Sequence, residues 1–254
     1  MKNIHKIALS LFVLAATVSQ AQTKSAGDAS KIVLSAYVPP QAEAVPAGAE
    51  AMMTNKLNQI ISQNGMSSDS NSKFIITPNI VVLTKDQLAT APPMTALTLQ
   101  VMLAIGNGVE GRKFVSTVLT VKGVGTNENK AYMEAIKQIN PSNPQLQSFI
   151  ADGKSKILDY YNTKCATVLQ EAKSLQGQNR YDEAIYMLTS VPDAAAECYK
   201  KSMAAAEPLY KLKIDADCKT KLQEATSVWN ANQTVAGANQ AGELLVSVDP
   251  HSAC

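Results

Sequence analysis

The chain has 254 residues, with 23 Lys and Arg, 21 Asp and Glu, and two histidines. Removal of an N-terminal segment that carries Lys2 and Lys6 would leave 21 basic side chains against 21 acidic ones. A balanced chain without a Lys/Arg-rich run has no electrostatic footprint for nucleic acid or an anionic membrane surface, so we expect neither partner.

The N-terminus is arranged like a secretory signal peptide. Lys2 and Lys6 precede an apolar run from Ile7 to Val18, and small residues follow where a signal peptidase cleaves. We predict a signal peptide over residues 1–21, a flexible leader over 22–30, and an exported protein that is periplasmic or secreted. The apolar run is shorter than the about 20 residues of a membrane-spanning helix, so we predict no transmembrane segment. No Cys lies beside the cleavage site, which argues against a lipid anchor there.

Residues 31–140 predict a domain that combines strands and helices. Apolar and polar residues alternate most clearly around Leu97, Leu99 and Val101, and Pro78 favours a sheet edge or a bulge for its strand. The order predicts an α+β fold with a small mixed or antiparallel sheet and two helices on one face. In chain order we predict a strand at Lys31–Val38, a helix at Gly48–Asn64, strands at Phe74–Thr84, Thr95–Ile105 and Lys113–Lys122, and a helix at Thr126–Ile139.

Two prolines and three small polar residues over 140–144 break this pattern, and we predict a domain boundary there. Residues 145–254 are typical of an all-α domain. Gln145–Gln176 is predicted as one long helix, or as two in series because Gly153 interrupts it. The further predicted helices are Arg180–Thr189, Ala194–Ala206, one that starts at Pro208, where proline suits a first turn, and Val235–Val246.

A pattern of residues occurs twice in this helical half. The copies are displaced by 53 residues over their first part and by 56 or 57 over their last part, so we predict two related helical units. The first copy is Cys165, Leu169-Gln170-Glu171-Ala172, Ser174, Ala184, Leu188, Ser190-Val191 and Cys198; the second is Cys218, Leu222-Gln223-Glu224-Ala225, Ser227, Ala241, Leu245, Ser247-Val248 and Cys254.

The segment from Asn179 to Ile185, Asn-Arg-Tyr-Asp-Glu-Ala-Ile, resembles the tetratricopeptide repeat when Ala172 upstream is included. The resemblance covers about one repeat and implies paired helices that approach closely through small residues. Because Pro192 shortens the second helix, we expect a short helical platform rather than a complete peptide-binding solenoid.

The first domain also carries a resemblance. Lys122-Gly123-Val124-Gly125 before a helix with Ala131 and Ala135 is similar to envelope domains of curli-assembly and related lipoproteins of Gram-negative bacteria. That resemblance implies a role in assembling surface structures, without catalysis. More broadly, the chain resembles exported Bacteroidetes-type proteins.

The four cysteines, Cys165, Cys198, Cys218 and Cys254, are an even number in an exported chain, so disulfides are expected. Each repeat copy begins and ends with Cys, which favours Cys165 with Cys198 and Cys218 with Cys254. A rival pairing joins Cys198 to Cys218 across a helical hairpin that turns at Pro208. No Cys-x-x-Cys motif is present, so redox catalysis is the weaker interpretation.

Candidate chemistry is sparse. His5 lies in the signal segment and His251 lies in the predicted tail, so neither a Ser-His-Asp arrangement nor a His-containing metal site is expected. Gly123-Val124-Gly125 lacks the third glycine of a nucleotide fingerprint and is interpreted as a turn. Asp182-Glu183 suits a helix start, and Tyr160-Tyr161 and Trp229 are assigned to packing.

We therefore predict a non-enzymatic envelope protein that binds a protein partner as a scaffold or assembly accessory. We expect no catalytic residues, no cofactor and no metal. The partner surface is expected on the helical half or near residues 140–144. The alternative is a hydrolase or carbohydrate-active accessory protein with a site in the interdomain cleft, which would hold at least two converging ionisable groups with displaced pKa values.

Overall fold

The computed structural model describes residues 32–42, 45–70 and 72–254. The predicted signal peptide and leader, with Lys31, lie outside these residues. The elements are β1 (Val33–Ala36), α1 (Ala47–Gln63), β2 (Ser67–Ser68), β3 (Phe74–Leu88), β4 (Met94–Asn107), β5 (Arg112–Gly125), α2 (Glu128–Lys137), α3 (Pro144–Gly177), α4 (Tyr181–Thr189), α5 (Ala196–Ala231) and α6 (Val235–Val246).

The five strands form one mixed sheet in the order β2-β1-β3-β4-β5. Strand β1 pairs in parallel with both β2 and β3, whereas β3, β4 and β5 pair antiparallel. The mixed α+β architecture matches the sequence prediction, with β2 as an additional strand. The sequence carries no signal for β2, because its two serines are exposed and show no apolar pattern.

One face of the sheet is buried. Alternate β4 residues from Leu97 to Ile105 are almost fully buried, and they form one cluster with apolar residues of α1, α2 and the first half of α3. The opposite face carries Val81, Met102 and Val118, each more than a third exposed. The helices therefore lie on one side of the sheet, as the order of elements predicts.

Pro78 lies in β3 just beyond the end of β1. The last contact with β1 is the hydrogen bond from the Tyr37 amide to the Ile76 carbonyl, 3.0 Å long. Beyond this bond, the Gln41 side chain pairs with β3 in place of a strand. Its amide donates to the Pro78 carbonyl, and its oxygen accepts from the Ile80 N–H. Pro78 thus occupies an edge position, where its missing N–H costs no ladder bond.

Two glycines let α2 lie directly on β5. A side-chain carbon at Gly123 would overlap the backbone of Ala131 and Ala135, and one at Gly125 would overlap the backbone and side chain of Lys130. Both glycines belong to the strand itself rather than to the predicted strand-to-helix turn. Because α2 fills the space above them, this segment leaves no room for a phosphate cradle.

Helix α3 is continuous, which settles the two options that Gly153 left open. It begins with Asn143, whose side chain accepts a hydrogen bond from the Gln145 N–H, and with Pro144 in the first turn. Gly153 lies over the sheet, where a side-chain carbon would come within 2.6 Å of the Ile105 Cδ1 atom. This glycine permits close packing and does not end the helix.

Helix α5 corrects the prediction of two helices separated at Pro208. It runs without a break from Ala196 to Ala231 and contains Pro208 in its interior. Proline removes one intrahelical hydrogen bond, but Ala206 and Leu209 on either side are buried in a cluster with α3 and α4. Tertiary packing of both turns therefore overrides the local preference for a break.

The helices α3 to α6 pack in chain order, each on the next. The larger core cluster joins the sheet to Ile150 and Ile157 of α3, and a smaller one lies among α3, α4 and α5. The domain boundary at residues 140–144 and the tetratricopeptide-like character stay predictions. In the described part of the chain, no helix is both long and apolar enough to span a membrane.

Candidate functional site: a groove between the sheet and the helical half

A groove of about 850 Å³ lies where α3, α4 and the β4–β5 turn meet. We call it the seam groove. Each of the three segments contributes side chains to it. Its lining consists of Glu110 and Arg112 from the turn, Tyr160, Tyr161, Lys164, Thr167, Val168, Glu171 and Leu175 from α3, and Asp182, Glu183, Tyr186, Met187 and Ser190 from α4.

The α3 wall follows from helical periodicity. Tyr160, Lys164, Glu171 and Leu175 follow each other at intervals of four, seven and four residues, so they share one face of the helix. Tyr186 stands opposite on α4 and is 48% exposed. The groove therefore combines aromatic and aliphatic walls with charged groups of both signs.

The β4–β5 turn is held in shape by Asn107. This side chain is buried, and its oxygen accepts hydrogen bonds from the backbone N–H groups of Val109 and Glu110 at 3.0 and 3.1 Å. Such an Asx arrangement fixes the turn from within. The Arg112 guanidinium consequently lies 4.5 Å from the centre of the Tyr160 ring, in cation–π geometry.

A chain of aromatic rings connects the sheet to α3 at the floor of the groove. The ring centres of Phe74 and Tyr161 lie 6.1 Å apart, and those of Phe114 and Tyr160 lie 5.8 Å apart. Tyr160 and Tyr161 are themselves 5.1 Å apart, and all these pairs meet edge to face. Tyr161 is buried, as the predicted packing role requires, and both tyrosines also line the groove.

Lys73, the residue before β3, links the two halves of the protein. Its ammonium donates hydrogen bonds to the Tyr161 hydroxyl, at 2.8 Å, and to the backbone carbonyl of Ser190. Ser190 caps the C-terminal end of α4, where the helix dipole favours a positive charge. Lys73 also lines a second cavity of about 510 Å³ that shares Tyr186 and Ser190 with the seam groove.

Burial displaces the pKa values of this linked pair in opposite directions. It lowers the pKa of Lys73 to about 8, opposed by the negative charge of Glu110. It raises the pKa of Tyr161, and Glu110 adds to that rise. In both residues burial favours the neutral form, because a charge is less stable away from water. Tyr161 therefore stays a neutral hydroxyl that accepts the lysine's hydrogen bond.

Ion pairs surround the α4 end of the groove. Arg180 binds both carboxylate oxygens of Glu183, at 2.6 and 2.5 Å, and this contact lowers the pKa of the exposed Glu183 carboxyl. Lys213 of α5 lies 3.3 Å from Asp182. Asp182 and Glu183 occupy the first turn of α4, the position predicted for them.

The structure pairs Cys165 with Cys198 and Cys218 with Cys254, with Cα–Cα distances of 5.5 and 6.1 Å. This is the pairing within each repeat copy. The rival bridge from Cys198 to Cys218 is impossible in this fold, because twenty residues of the continuous helix α5 separate the two thiols by about 30 Å. Two disulfides fit an exported protein.

The remaining candidates lie apart from the groove. His251 is exposed and contacts Asp249 through its ring, 3.0 Å away. Trp229, which the sequence assigned to packing, is 42% exposed near the end of α5. Within the described ranges, no three His, Cys, Asp or Glu side chains are grouped closely enough for a metal ion.

Sequence reasoning missed Glu110 and Arg112 as groove residues, and it missed Lys73 as the residue that joins the groove walls. They lie in two separate segments of the first half, and the helical residues they meet are separated from them by 48 to 117 positions. No local motif marks such a site. The available signal was the glycine-rich segment 106–111 before Arg112, since a turn between long strands projects beyond the sheet.

Comparison with known proteins gives only distant likenesses. No family model and no curated protein matches the chain. A minor lipoprotein from Acinetobacter baumannii aligns with 16% identity and a TM-score of 0.26, over 49% of this chain and 87% of that one. A provisionally assigned lipoprotein from Caulobacter crescentus CB15 aligns with 10% identity and a TM-score of 0.27, over 52% and 88%. At these TM-scores neither likeness bears on fold or function.

Proposed function

We propose that this chain is an exported envelope protein that binds a protein partner in the seam groove and carries out no catalysis. The groove carries this proposal, because its lining has the composition of a protein-binding surface. Tyrosine, methionine and arginine are enriched at such surfaces, and the groove offers Tyr160, Tyr186, Met187 and Arg112. Lys164 and Glu171 supply charges of opposite sign on the α3 wall.

The contacts of Lys73 support binding rather than chemistry. Its ammonium is engaged by Tyr161 and by the end of α4, so it joins the sheet to both walls of the groove. A preorganised groove loses less conformational entropy when a partner docks. We therefore assign Lys73 and Tyr161 to holding the groove open in one shape.

Site-specific photo-crosslinking in the native host tests the proposal. A photoreactive amino acid replaces Thr167, an exposed groove residue, and a matched control carries it at Thr120 on the open face of the sheet. We expect one defined protein adduct from position 167, none from 120, and loss of the adduct when Tyr186→Ala is added. Absence of an adduct at 167, or an adduct that survives Tyr186→Ala, contradicts the proposal.

The alternative, a hydrolase or carbohydrate-active accessory protein, is favoured by one observation. Lys73 and Tyr161 are two converging ionisable groups with displaced pKa values beside a cavity, and Glu110 is near both. Turnover of a glycan or ester substrate that disappears in Lys73→Met, and persists in the exposed-site variant Lys200→Met, supports this alternative over the scaffold.

A further inference from the structure

The two repeat copies differ in what covers their second helix. In the first copy, Leu188 of α4 is 1% exposed and belongs to a cluster with Ala206 and Leu209 of α5. In the second copy, the matching residue is Leu245 of α6, and it is 46% exposed. The first half of α5 covers α4, whereas no element in the described residues occupies the corresponding place beside α6.

The exposed side of α6 has a regular pattern. Val235, Ala238, Gly242 and Leu245 follow each other at intervals of three, four and three residues, which places them on one seam of the helix. We call these four residues the α6 seam. Val235 is 80% exposed, and the only charged residue of α6, Glu243, lies outside the seam.

The matching α4 residues show that this seam is built for a closer neighbour. Tyr181 and Ile185 of α4 both pack in the cluster that α5 covers. Their counterparts on α6 are Ala238 and Gly242, which have little or no side chain. Small residues at the centre of a helix face let a second helix approach closely.

We propose that the α6 seam packs antiparallel against the α6 seam of a second copy of this chain. The pattern is self-complementary, because a twofold axis near Gln240 places Val235 opposite Leu245 of the second copy. The same axis places Ala238 opposite Gly242. A twofold interface must match its own surface, so an uncharged seam with bulky ends and a small centre meets that requirement.

A second leucine of the second repeat copy, Leu222 of α5, is exposed as well. It matches Leu169, which packs in the α3–α4–α5 cluster, yet Leu222 is 46% exposed. A second copy seated on the α6 seam would cover Leu222 as α5 covers its counterpart. The dimer would continue the order in which α3 to α6 pack, from one copy into the next.

Analytical ultracentrifugation of the full exported chain, from about 1 to about 200 µM, tests the dimer. We expect a reversible dimer whose dissociation constant rises at least about tenfold in Ala238→Arg and in Leu245→Arg, because a buried unpaired charge opposes association. The control Val118→Arg, at a 45% exposed site on the open face of the sheet, should leave the dimer unchanged. Thermal melts at low protein concentration confirm that Ala238→Arg, Leu245→Arg and Val118→Arg fold.

A monomer at every concentration overturns the proposal. A dimer that resists both α6 variants, or that only Val118→Arg disrupts, overturns it as well. Cysteine pairing tests the register: a mixture of Val235→Cys and Leu245→Cys chains should form a disulfide between copies under mild oxidation. Val235→Cys alone should not, because antiparallel pairing separates the two Val235 positions by about 15 Å along the helix. Efficient pairing of Val235→Cys with itself contradicts the antiparallel register.

Discussion

Lys73 and Tyr161 meet across the junction between the sheet and α3, with 2.8 Å between the ammonium nitrogen and the phenolic oxygen. The same ammonium lies 4.8 Å from the centre of the Tyr161 ring and 4.9 Å from that of Phe74. One lysine therefore binds an aromatic pocket, a hydroxyl and the end of α4. The position of the seam groove depends on this contact, because its walls belong to segments far apart in sequence.

The Lys73 charge makes stability depend on pH in a defined direction. Burial lowers the pKa of Lys73 from 10.5 to about 8, so between these values the unfolded chain binds more protons than the folded one. The contribution of Lys73 to the free energy of unfolding therefore rises as pH increases from 8 to 10.5. Relative to Lys73→Met, we expect the natural protein to gain roughly 1–2 kcal/mol between pH 7 and pH 10, measured by urea denaturation.

The matched control for this prediction is Lys200→Met, which removes an exposed lysine from α5. The difference between the natural protein and this variant should stay nearly constant over the same pH range, because the Lys200 side chain is exposed rather than buried. A pH-independent difference for Lys73→Met as well would show that Lys73 is not buried against Tyr161 and Ser190.

Periodicity predicted the elements that have one buried face. Strand β4 was evident from its alternation, and α6 has the predicted bounds, Val235–Val246. The last part of β3, from Lys85 to Leu88, was not predicted because it is exposed on both faces. Backbone pairing with β4 continues through that segment, and backbone pairing leaves no trace in the side-chain pattern.

The seam groove could not be predicted for a different reason. Periodicity identifies which face of an element is apolar, but it does not identify which two faces meet. Lys73 and Ser190 lie 117 residues apart in sequence and join only after the sheet and the helices have packed. The repeat and the cysteine spacing favoured the observed disulfide pairing, since they relate residues within one unit.

Gly123 should be intolerant of even the smallest side chain. In Gly123→Ala the new carbon would lie 2.9 Å from the Ala135 Cα atom and still closer to the backbone of Ala131, so α2 would have to move off β5. We expect a loss of about 3 kcal/mol in the free energy of unfolding, at the upper end for overpacking. The shift of the urea denaturation midpoint measures this loss of stability.

Gly177 provides the opposite expectation. It ends α3 with no atom within 4 Å of an added side-chain carbon. Gly177→Ala should leave stability unchanged or raise it by up to about 1 kcal/mol, because alanine favours the helix. Equal midpoints for the two variants would mean that α2 does not rest on Gly123.

Pro208→Ala distinguishes a continuous α5 from two helices. Because the helix runs through Pro208, alanine there supplies the N–H that can bond to the Ala204 carbonyl. We expect the free energy of unfolding to rise by roughly 1–3 kcal/mol in urea denaturation. Pro144→Ala, at the first turn of α3, is the control and should change stability by less than about 0.5 kcal/mol, since no bond is missing there. A destabilised Pro208→Ala would favour a helix start at that residue.

The two disulfides should contribute unequally, although they close loops of similar length, with sequence separations of 33 and 36. Chain entropy alone gives each about 3–4 kcal/mol. Cys198 is 2% exposed in the core cluster shared with the sheet, so losing its bond affects global unfolding. Cys254 is exposed in the segment after α6, which can open locally without unfolding the rest.

We therefore expect the double variant Cys165→Ala/Cys198→Ala to lose about 3–4 kcal/mol in urea denaturation. The variant Cys218→Ala/Cys254→Ala should lose less than half as much, because the bond it lacks restrains a segment that opens on its own. In Cys218→Ala/Cys254→Ala, hydrogen exchange should show reduced protection only in residues 247–254 and the neighbouring turns of α5. Equal losses would mean that this segment unfolds only together with the core. Four free thiols in exported material, found by non-reducing mass spectrometry, would contradict both bonds.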